Sequence, residues 1–223
     1  MGNDWRTRGG LRYPDYLKIR ELLALQAPVS DPAHHDETLF IIAHQVFELW
    51  FKLLLHDFAA LRGHLERAEL RPAFKLARRV AAVQRNLVEQ VPMLETMSAL
   101  DFLEFRTDLE GASGFQSAQF RELEVTLGVR GEDRVPLPES RERGLSPYLA
   151  RLAPDEQERI EARLDEPSIE EVYLGAVERL VEPASPGLVY LSDLHDLVAG
   201  LGSEVARRAL QAVEPLAGTT SGP

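Results

Sequence analysis

The 223-residue sequence has the composition of a soluble globular protein, with 44% hydrophobic and 27% charged residues. Its 25 basic and 36 acidic residues give a formal charge of −11, which disfavours binding to nucleic acid or to an anionic lipid surface. The absence of cysteine excludes disulfides, thiolate metal sites and a cysteine nucleophile. Apolar runs are short and the first thirty residues lack the apolar stretch of a secretory signal, so we expect a cytoplasmic protein that does not span a membrane.

Helical periodicity dominates residues 1–128. An apolar stripe after Pro14 predicts a first helix, and its members are Tyr16, Ile19, Leu22, Leu23 and Leu25. A long helix is predicted at about 36–67, and its apolar residues on nearly every side between 39 and 61 indicate a buried central helix. Further helices are predicted at about 71–97, 101–109 and 116–127.

The chain changes character after residue 128. Residues 129–147 are rich in Gly, Pro, Arg and Glu, which is typical of a loop or linker. Shorter helices are predicted at about 154–164, 168–180, 189–201 and 203–216. Because no segment alternates like a strand, we predict an all-α protein of one helical domain, with a core at 1–128 and a divergent C-terminal part at 148–223.

His44 is the most informative of the six histidines because it lies inside the apolar central helix. It belongs to an i, i+4 row that consists of Phe40, His44, Glu48, Lys52 and His56. In a structural interpretation Glu48 pairs with Lys52 and His44 donates a hydrogen bond within the core. In a functional interpretation His44 lines a cavity and acts as a base or hydrogen-bond partner for a ligand. A metal held by His44 and Glu48, with His34 or His35 as third ligand, is a further alternative.

Arg106 lies in a segment that is rich in aromatic residues, namely Phe102, Phe105 and Phe115. A guanidinium in such surroundings suits a planar carboxylate, which it can bind with two hydrogen bonds. The structural alternatives are an ion pair with Glu104 or Asp108, or stacking of Arg106 on a ring.

Three other candidates lie at predicted helix starts. Ser113 and the following Gly114 are consistent with backbone amides that face a ligand, or with a simple cap and turn. Tyr13 and Tyr16 flank the start of the first helix, where aromatic residues contact ligands less often than they pack against other side chains.

These residues fall in stretches that together resemble the tryptophan 2,3-dioxygenase family. The matching text is YPDYL at 13–17 with 22–26, HDETLFIIAHQVFELWFKLLLHDF at 35–58, and LETMSALDFLEFRTDLEGASGFQSAQFRELEVTLG at 94–128. The resemblance implies an all-α helical bundle that binds heme b and forms an intimate homotetramer. It also implies an enzyme that inserts both atoms of dioxygen into the indole ring of L-tryptophan and gives N-formylkynurenine.

The resemblance implies roles for the matching residues around the substrate. Phe40 and His44 would line the pocket, with His44 near the indole nitrogen. Arg106 would bind the substrate carboxylate, and Phe102 stands where the family has a Tyr or Phe beside that arginine.

The resemblance also implies roles outside this cluster. Ser113 would lie above the heme edge, and Tyr13 and Tyr16 would reach into a neighbouring subunit's pocket. Thr219 stands in an abbreviated form of a family loop whose threonine contacts the substrate ammonium group.

The C-terminal third departs from the family pattern. The family's axial heme histidine would fall at about Ala209, and the only histidine after position 64 is His195. His195 either ligates heme from a rearranged helix or is a surface residue between Asp193 and Asp196. If it is not a ligand, the protein binds an aromatic amino acid or an indole derivative without heme, with different chemistry or a different metal, or is a non-catalytic relative.

The sequence therefore predicts a heme-dependent oxygenase of L-tryptophan or of a modified tryptophan, with dioxygen as co-substrate if heme is bound. We expect a homo-oligomer, either a dimer or a tetramer. The alternative function is that of a heme-free relative that binds an aromatic amino acid or indole derivative.

Overall fold

The computed structural model describes residues 10–109, 112–129 and 144–180, and helices are the only regular secondary structure in these ranges. The helices, in chain order, are α1 (Tyr13–Tyr16), α2 (Ile19–Leu22), α3 (His35–Glu66), α4 (Leu70–Leu94), α5 (Ala99–Arg106), α6 (Ala118–Thr126), α7 (Ser146–Leu149), α8 (Pro154–Leu164) and α9 (Ile169–Leu180). A 3-10 turn, Gly114–Gln116, precedes α6. The predicted all-α class is confirmed.

The long helix α3 begins and ends within one residue of its predicted bounds. His34 caps its N-terminus, where the ring Nδ1 accepts a hydrogen bond from the backbone N–H of Asp36. Asp36 and Glu37 place negative charge in the first turn, where the helix dipole favours it. The helix ends before Ala68, whose left-handed backbone (φ 57°) cannot continue an α-helix.

The hydrophobic core is built around the C-terminal half of α3, against which α4, α6 and α9 pack. Small residues of α4 allow its backbone to approach α3 closely. The fully buried core residues of these helices include Phe58, Leu61, Leu65, Ala73, Ala77, Val80 and Ala176. Burial of a large apolar side chain stabilises the fold by about 1.5–3 kcal/mol. Buried Asp57 joins α3 to α4 through two hydrogen bonds from Arg79, one of them 2.6 Å long from Nε.

The prediction that α3 is buried on nearly every side is wrong for its N-terminal half. Ala43 is buried there, but Ile42 is 43% exposed and Leu49 is 53% exposed. The physical reason is that α4 and α9 pack beside the later turns of α3, and no described element covers this face of the earlier ones. The apolar surface that the sequence assigned to the core is therefore partly open in one chain.

The helix α3 is also long and apolar enough to cross a membrane, with a mean hydropathy of 1.5 in its most apolar window. The sequence analysis judged membrane spanning from uninterrupted apolar runs, all of which are short. The 32-residue helix α3 still reaches a high mean hydropathy, because its few charged residues are outnumbered by apolar ones. Core helices satisfy the same test, and α3 carries buried Asp57 and packs against α4, α5, α6 and α9. Only 11% of the window is buried, so most of its surface lacks a cover among the described residues.

Several other boundaries differ from the predictions. The first helix is split into α1 and α2, because Lys18 between them is left-handed (φ 55°). The helices α4, α5 and α6 are each shorter than predicted, and α7 was not predicted. Helix α8 has its predicted bounds, and α9 starts one residue late. The helices predicted at 189–201 and 203–216 lie outside the described residues.

Buried Glu37 fastens the segment before α3 to the first turn of that helix. Its carboxylate, in a side chain only 1% exposed, accepts hydrogen bonds from the backbone N–H groups of Val29 (2.6 Å) and Ser30 (3.1 Å) and from the Ser30 hydroxyl. Burial alone would raise the pKa of Glu37, but these hydrogen bonds to the charged form lower it below its usual value. The segment at 29–30 is therefore held by an ionised carboxylate.

We expect Glu37→Gln to lower the free energy of unfolding by about 1–3 kcal/mol at neutral pH, because the amide NH2 faces donors and leaves them unsatisfied. Chemical denaturation at several pH values measures the effect. Because the folded pKa lies below the unfolded value of about 4.3, the stabilisation is complete above that value and is lost as the pH falls through the folded pKa.

The neighbouring Asp36→Asn is the matched control, since its carboxylate accepts no hydrogen bond within the described ranges. This variant should lower the free energy of unfolding by less than about 1 kcal/mol, which is the contribution of a charge at a helix end. Equal losses for the two variants at neutral pH would contradict the role assigned to Glu37.

Candidate functional site

An aromatic cluster joins the first turns of α3 to α5. The Phe40 ring lies 4.1 Å from the His44 ring and 5.7 Å from the rings of both Phe102 and Phe105. The Phe102 and Phe105 rings are 5.6 Å apart. The Phe105 ring is fully buried and also contacts His34 at 5.4 Å. Aromatic pairs of this kind contribute about 0.5–1.5 kcal/mol each beyond the area they bury. The structure thus brings together Phe40, His44 and Phe102, three of the residues to which the resemblance gives a role.

The hydrogen bonding of His44 leaves one ring nitrogen available. Its Nδ1 lies 2.7 Å from the carbonyl oxygen of Phe40. Since a carbonyl only accepts, Nδ1 carries the proton and the Nε2 of the neutral ring is an acceptor. In the part of the chain that the structure describes, no group hydrogen-bonds to this Nε2. His44 can therefore accept a hydrogen bond from a ligand N–H group.

The Glu48–Lys52 ion pair of the structural interpretation does not form. Instead, Gln119 of α6 donates to the Glu48 carboxylate at 2.7 Å and to the Glu48 carbonyl oxygen at 3.0 Å. The contact joins residues 71 positions apart, and nothing in the local sequence signals it. Glu48 therefore links α3 to α6 at the level of the site.

The metal site considered for His44, Glu48 and a loop histidine is not supported. Across residues 10–109, 112–129 and 144–180, no three His, Asp or Glu side chains are grouped to hold a metal ion. His34 uses Nδ1 to cap α3 and places Nε2 3.2 Å from Glu104, and His35 is exposed. These contacts separate the loop histidines from the His44–Glu48 row.

Arg106, in the last turn of α5, is half-buried and carries an unpaired guanidinium. Neither Glu104 nor Asp108 forms an ion pair with it, and it has no hydrogen-bond partner within the described segments. Residues two apart on a helix do not face each other, which explains why Glu104 pairs with His34 instead. Because a half-buried charge without a partner is costly, Arg106 is suited to bind an anionic group such as a carboxylate.

Phe115 does not belong to the aromatic surroundings of Arg106. Its ring packs 6.1 Å from that of Tyr148, which is buried beside the Arg121 guanidinium. The sequence placed Phe115 with Phe102 and Phe105 because the three are close in the chain. The turn at 113–117 instead directs Phe115 toward α7.

Ser113 forms the cap that the sequence offered as one alternative. Its hydroxyl accepts from the N–H of Phe115 at 3.3 Å, and the Gln116 side chain accepts from the Ser113 N–H at 3.0 Å. This reciprocal capping box starts the 3-10 turn. The hydroxyl proton of Ser113 remains able to donate to a ligand.

The remaining predicted site residues are not part of the cluster. Tyr13 and Tyr16 are exposed on α1. His195 and Thr219 lie outside the described residues. Sequence reasoning missed the pairing of His34 with Glu104, although a polar residue just before a helix start is a signal for a cap.

Comparison with known proteins gives one consistent family. The family model of tryptophan 2,3-dioxygenase matches residues 1–179. The chain is 48% identical over 126 residues to the tryptophan 2,3-dioxygenase of Saccharopolyspora erythraea, a match that covers 56% of this chain and 45% of that protein.

Two further relatives match over longer stretches. The tryptophan 2,3-dioxygenase of Nocardioides sp. is 45% identical over 168 residues, 74% of this chain and 59% of that protein. That of Myxococcus xanthus is 39% identical over 175 residues, 78% of this chain and 56% of that protein. The matches thus span about half the length of these curated relatives. With the family model matching most of the chain, the resemblance found in the sequence is confirmed, and the chain belongs to the tryptophan 2,3-dioxygenase family.

Proposed function

We propose that this protein is a heme-dependent oxygenase that acts on the indole ring of L-tryptophan or of a modified tryptophan. The observation that carries the proposal is that, within the described residues, neither the half-buried guanidinium of Arg106 nor the Nε2 of His44 has a partner. Arg106 follows Phe105 on α5, whose ring joins those of Phe40 and Phe102, and His44 packs on Phe40. These groups complement the carboxylate, ring and N–H of an indole amino acid.

Each group of the site has a distinct task. Arg106 binds the substrate carboxylate through charge-assisted hydrogen bonds, which fix the direction of the amino acid. Phe40 and Phe102 provide an apolar surface for the indole ring and exclude water from it. The indole N–H only donates, and His44 Nε2 accepts it. The contribution of these residues is orientation of the substrate.

The described residues fit the substrate side of a heme site. The rings of Phe40, Phe102 and Phe105 form an apolar surface that suits a planar apolar group, and the Nε2 of His44, which has no partner among the described residues, can face a substrate beside it. Bound heme b supplies the activation of dioxygen. His195, the only histidine after position 64, would hold the heme through a ring nitrogen. The heme-free alternative keeps the same Arg106 site but gives no oxygenation.

Further parts of the proposal concern residues beyond the cluster. Ser113 would donate its hydroxyl proton near the heme edge, and Thr219 would contact the substrate ammonium group. Tyr13 and Tyr16, which are exposed in one chain, would enter the pocket of a neighbouring subunit in a dimer or tetramer. The protein would be a single-domain cytoplasmic enzyme that binds neither nucleic acid nor membrane.

We expect Arg106→Ala to weaken the binding of L-tryptophan about 10- to 100-fold, which is the effect of losing hydrogen bonds to a charged group. The binding of tryptamine, which lacks the carboxylate, should be unchanged. Calorimetry on the full chain measures both affinities. The exposed Arg71→Ala is the matched control and should alter neither. Wild-type affinity of Arg106→Ala for L-tryptophan would refute the carboxylate site.

We expect His44→Ala to lower kcat about two- to tenfold, because it removes one hydrogen bond to the substrate and no obligatory proton transfer. Steady-state oxygenation of L-tryptophan, with heme content measured in the same samples, gives the comparison. Complete loss of activity with heme still bound would show that His44 is an essential base and would overturn the orienting role.

We expect added hemin to produce a sharp Soret band that shifts with carbon monoxide, and expect His195→Ala to abolish it because the axial nitrogen is lost. Visible absorption spectra of the purified protein provide the measurement, with His44→Ala as control. A band lost in His44→Ala and kept in His195→Ala would identify His44 as the ligand instead. No stoichiometric heme binding, with L-tryptophan still bound, would favour the heme-free alternative.

A further inference from the structure

His34 connects the start of α3 to the helix that carries Arg106. One ring nitrogen, Nδ1, accepts a hydrogen bond of 3.2 Å from the N–H of Asp36 in the first turn of α3. The other, Nε2, lies 3.2 Å from a carboxylate oxygen of Glu104 on α5. The ring also packs against Phe105 at 5.4 Å. All three contacts use one side chain that is mostly shielded from solvent.

The two polar contacts require one tautomer of the ring. A backbone N–H only donates, so Nδ1 carries no proton and Nε2 carries the single proton of the neutral ring. Nε2 can then donate to Glu104 while Nδ1 caps α3. A neutral His34 therefore satisfies both helices at once, and no other group is needed to complete its hydrogen bonding.

This contact sets the rotation of α5 about its axis. Ring contacts with Phe40 hold α5 against α3, but apolar packing tolerates small rotations and shifts. The pair His34–Glu104 is directional, and within the described ranges it is the polar contact between α5 and the start of α3. Residues two apart on a helix are separated by about 200°. When the contact at Glu104 fixes the rotation of α5 about its axis, it therefore also fixes the direction in which Arg106 leaves the opposite side of the helix.

We propose that His34 and Glu104 are positioning residues, which direct the Arg106 guanidinium toward the substrate carboxylate. The proposal rests on the proposed function of Arg106. Neither residue touches the substrate. Their effect on binding is confined to ligands that carry a carboxylate, since only these use Arg106.

Binding of L-tryptophan and tryptamine to the full chain tests the proposal. We expect Glu104→Ala to weaken L-tryptophan binding about threefold, at the lower end of the effect of losing one hydrogen bond because Glu104 is largely exposed, and to leave tryptamine binding unchanged. Glu104→Gln should restore wild-type affinity, because its amide oxygen still accepts from His34. Equal losses for the two ligands, or no rescue by glutamine, would overturn the proposal.

The chain offers a matched control in a second histidine–glutamate pair. His64 and Glu69 are joined at 2.6 Å at the opposite end of α3. Glu69→Ala removes a comparable partner far along the same helix and should leave both affinities unchanged. If it weakened L-tryptophan binding as much as Glu104→Ala does, the effect of Glu104 would be one of general stability and the proposal would fail.

A double-mutant cycle separates this proposal from the function on which it rests. When Arg106 is already alanine, adding Glu104→Ala should cause no further loss of L-tryptophan affinity. A full additional loss would overturn the positioning role. Unchanged affinity in the Arg106→Ala single variant would instead overturn the carboxylate site itself.

Hydrogen exchange of the α5 amides gives a result that does not depend on a ligand. We expect exchange in α5 to be faster in Glu104→Ala than in the unchanged chain, and to be unaffected in Glu69→Ala. His34→Asn keeps a good capping residue for α3 but cannot reach Glu104, and it should match Glu104→Ala. Unaltered exchange of α5 in both site variants would overturn the proposal, whatever the binding data show.

Discussion

The packing of α4 and α9 against the C-terminal half of α3 holds the long helix that carries Phe40 and His44. This 32-residue helix is about 48 Å long, and its later turns are held by large buried side chains such as Phe58 and Leu61 and by the Asp57–Arg79 contact. A helix anchored along half its length holds its other half rigidly. The earlier turns of α3 can therefore present Phe40 and His44 at defined positions although part of their face is open.

The site is completed by short elements that have little stability of their own. A helix as short as α5 is marginal in isolation, and it persists here through its capping box at Ser98 and its aromatic contacts with α3. The first turn of α6 is joined to α3 by Gln119, which donates hydrogen bonds to Glu48. The long helix supplies rigidity and carries Phe40 and His44, and the short helix α5 carries Phe102 and Arg106.

The sequence predicted the features that depend on local pattern and missed those that depend on distant contacts. The bounds of α3 and α8 follow from capping residues and apolar periodicity. Of the three aromatic residues that lie near Arg106 in the chain, Phe102 and Phe105 pack against each other, but Phe115 packs on Tyr148 instead. The Glu48–Gln119 contact was unpredictable because it joins residues far apart in the chain. The open face of α3 was missed because periodicity shows which residues are apolar and does not show what covers them.

The charge of the chain makes the unpaired state of Arg106 informative. With 36 acidic residues against 25 basic ones, a free guanidinium has many possible carboxylate partners. Carboxylates near the site are instead engaged elsewhere: Glu37 with the 29–30 backbone, Glu48 with Gln119, Asp101 with the Ser98 cap and Glu104 with His34. These contacts occupy carboxylates that would otherwise be available to pair with Arg106. In the part of the chain that the structure describes, Arg106 therefore remains half-buried without a carboxylate partner, which is the property on which its proposed role rests.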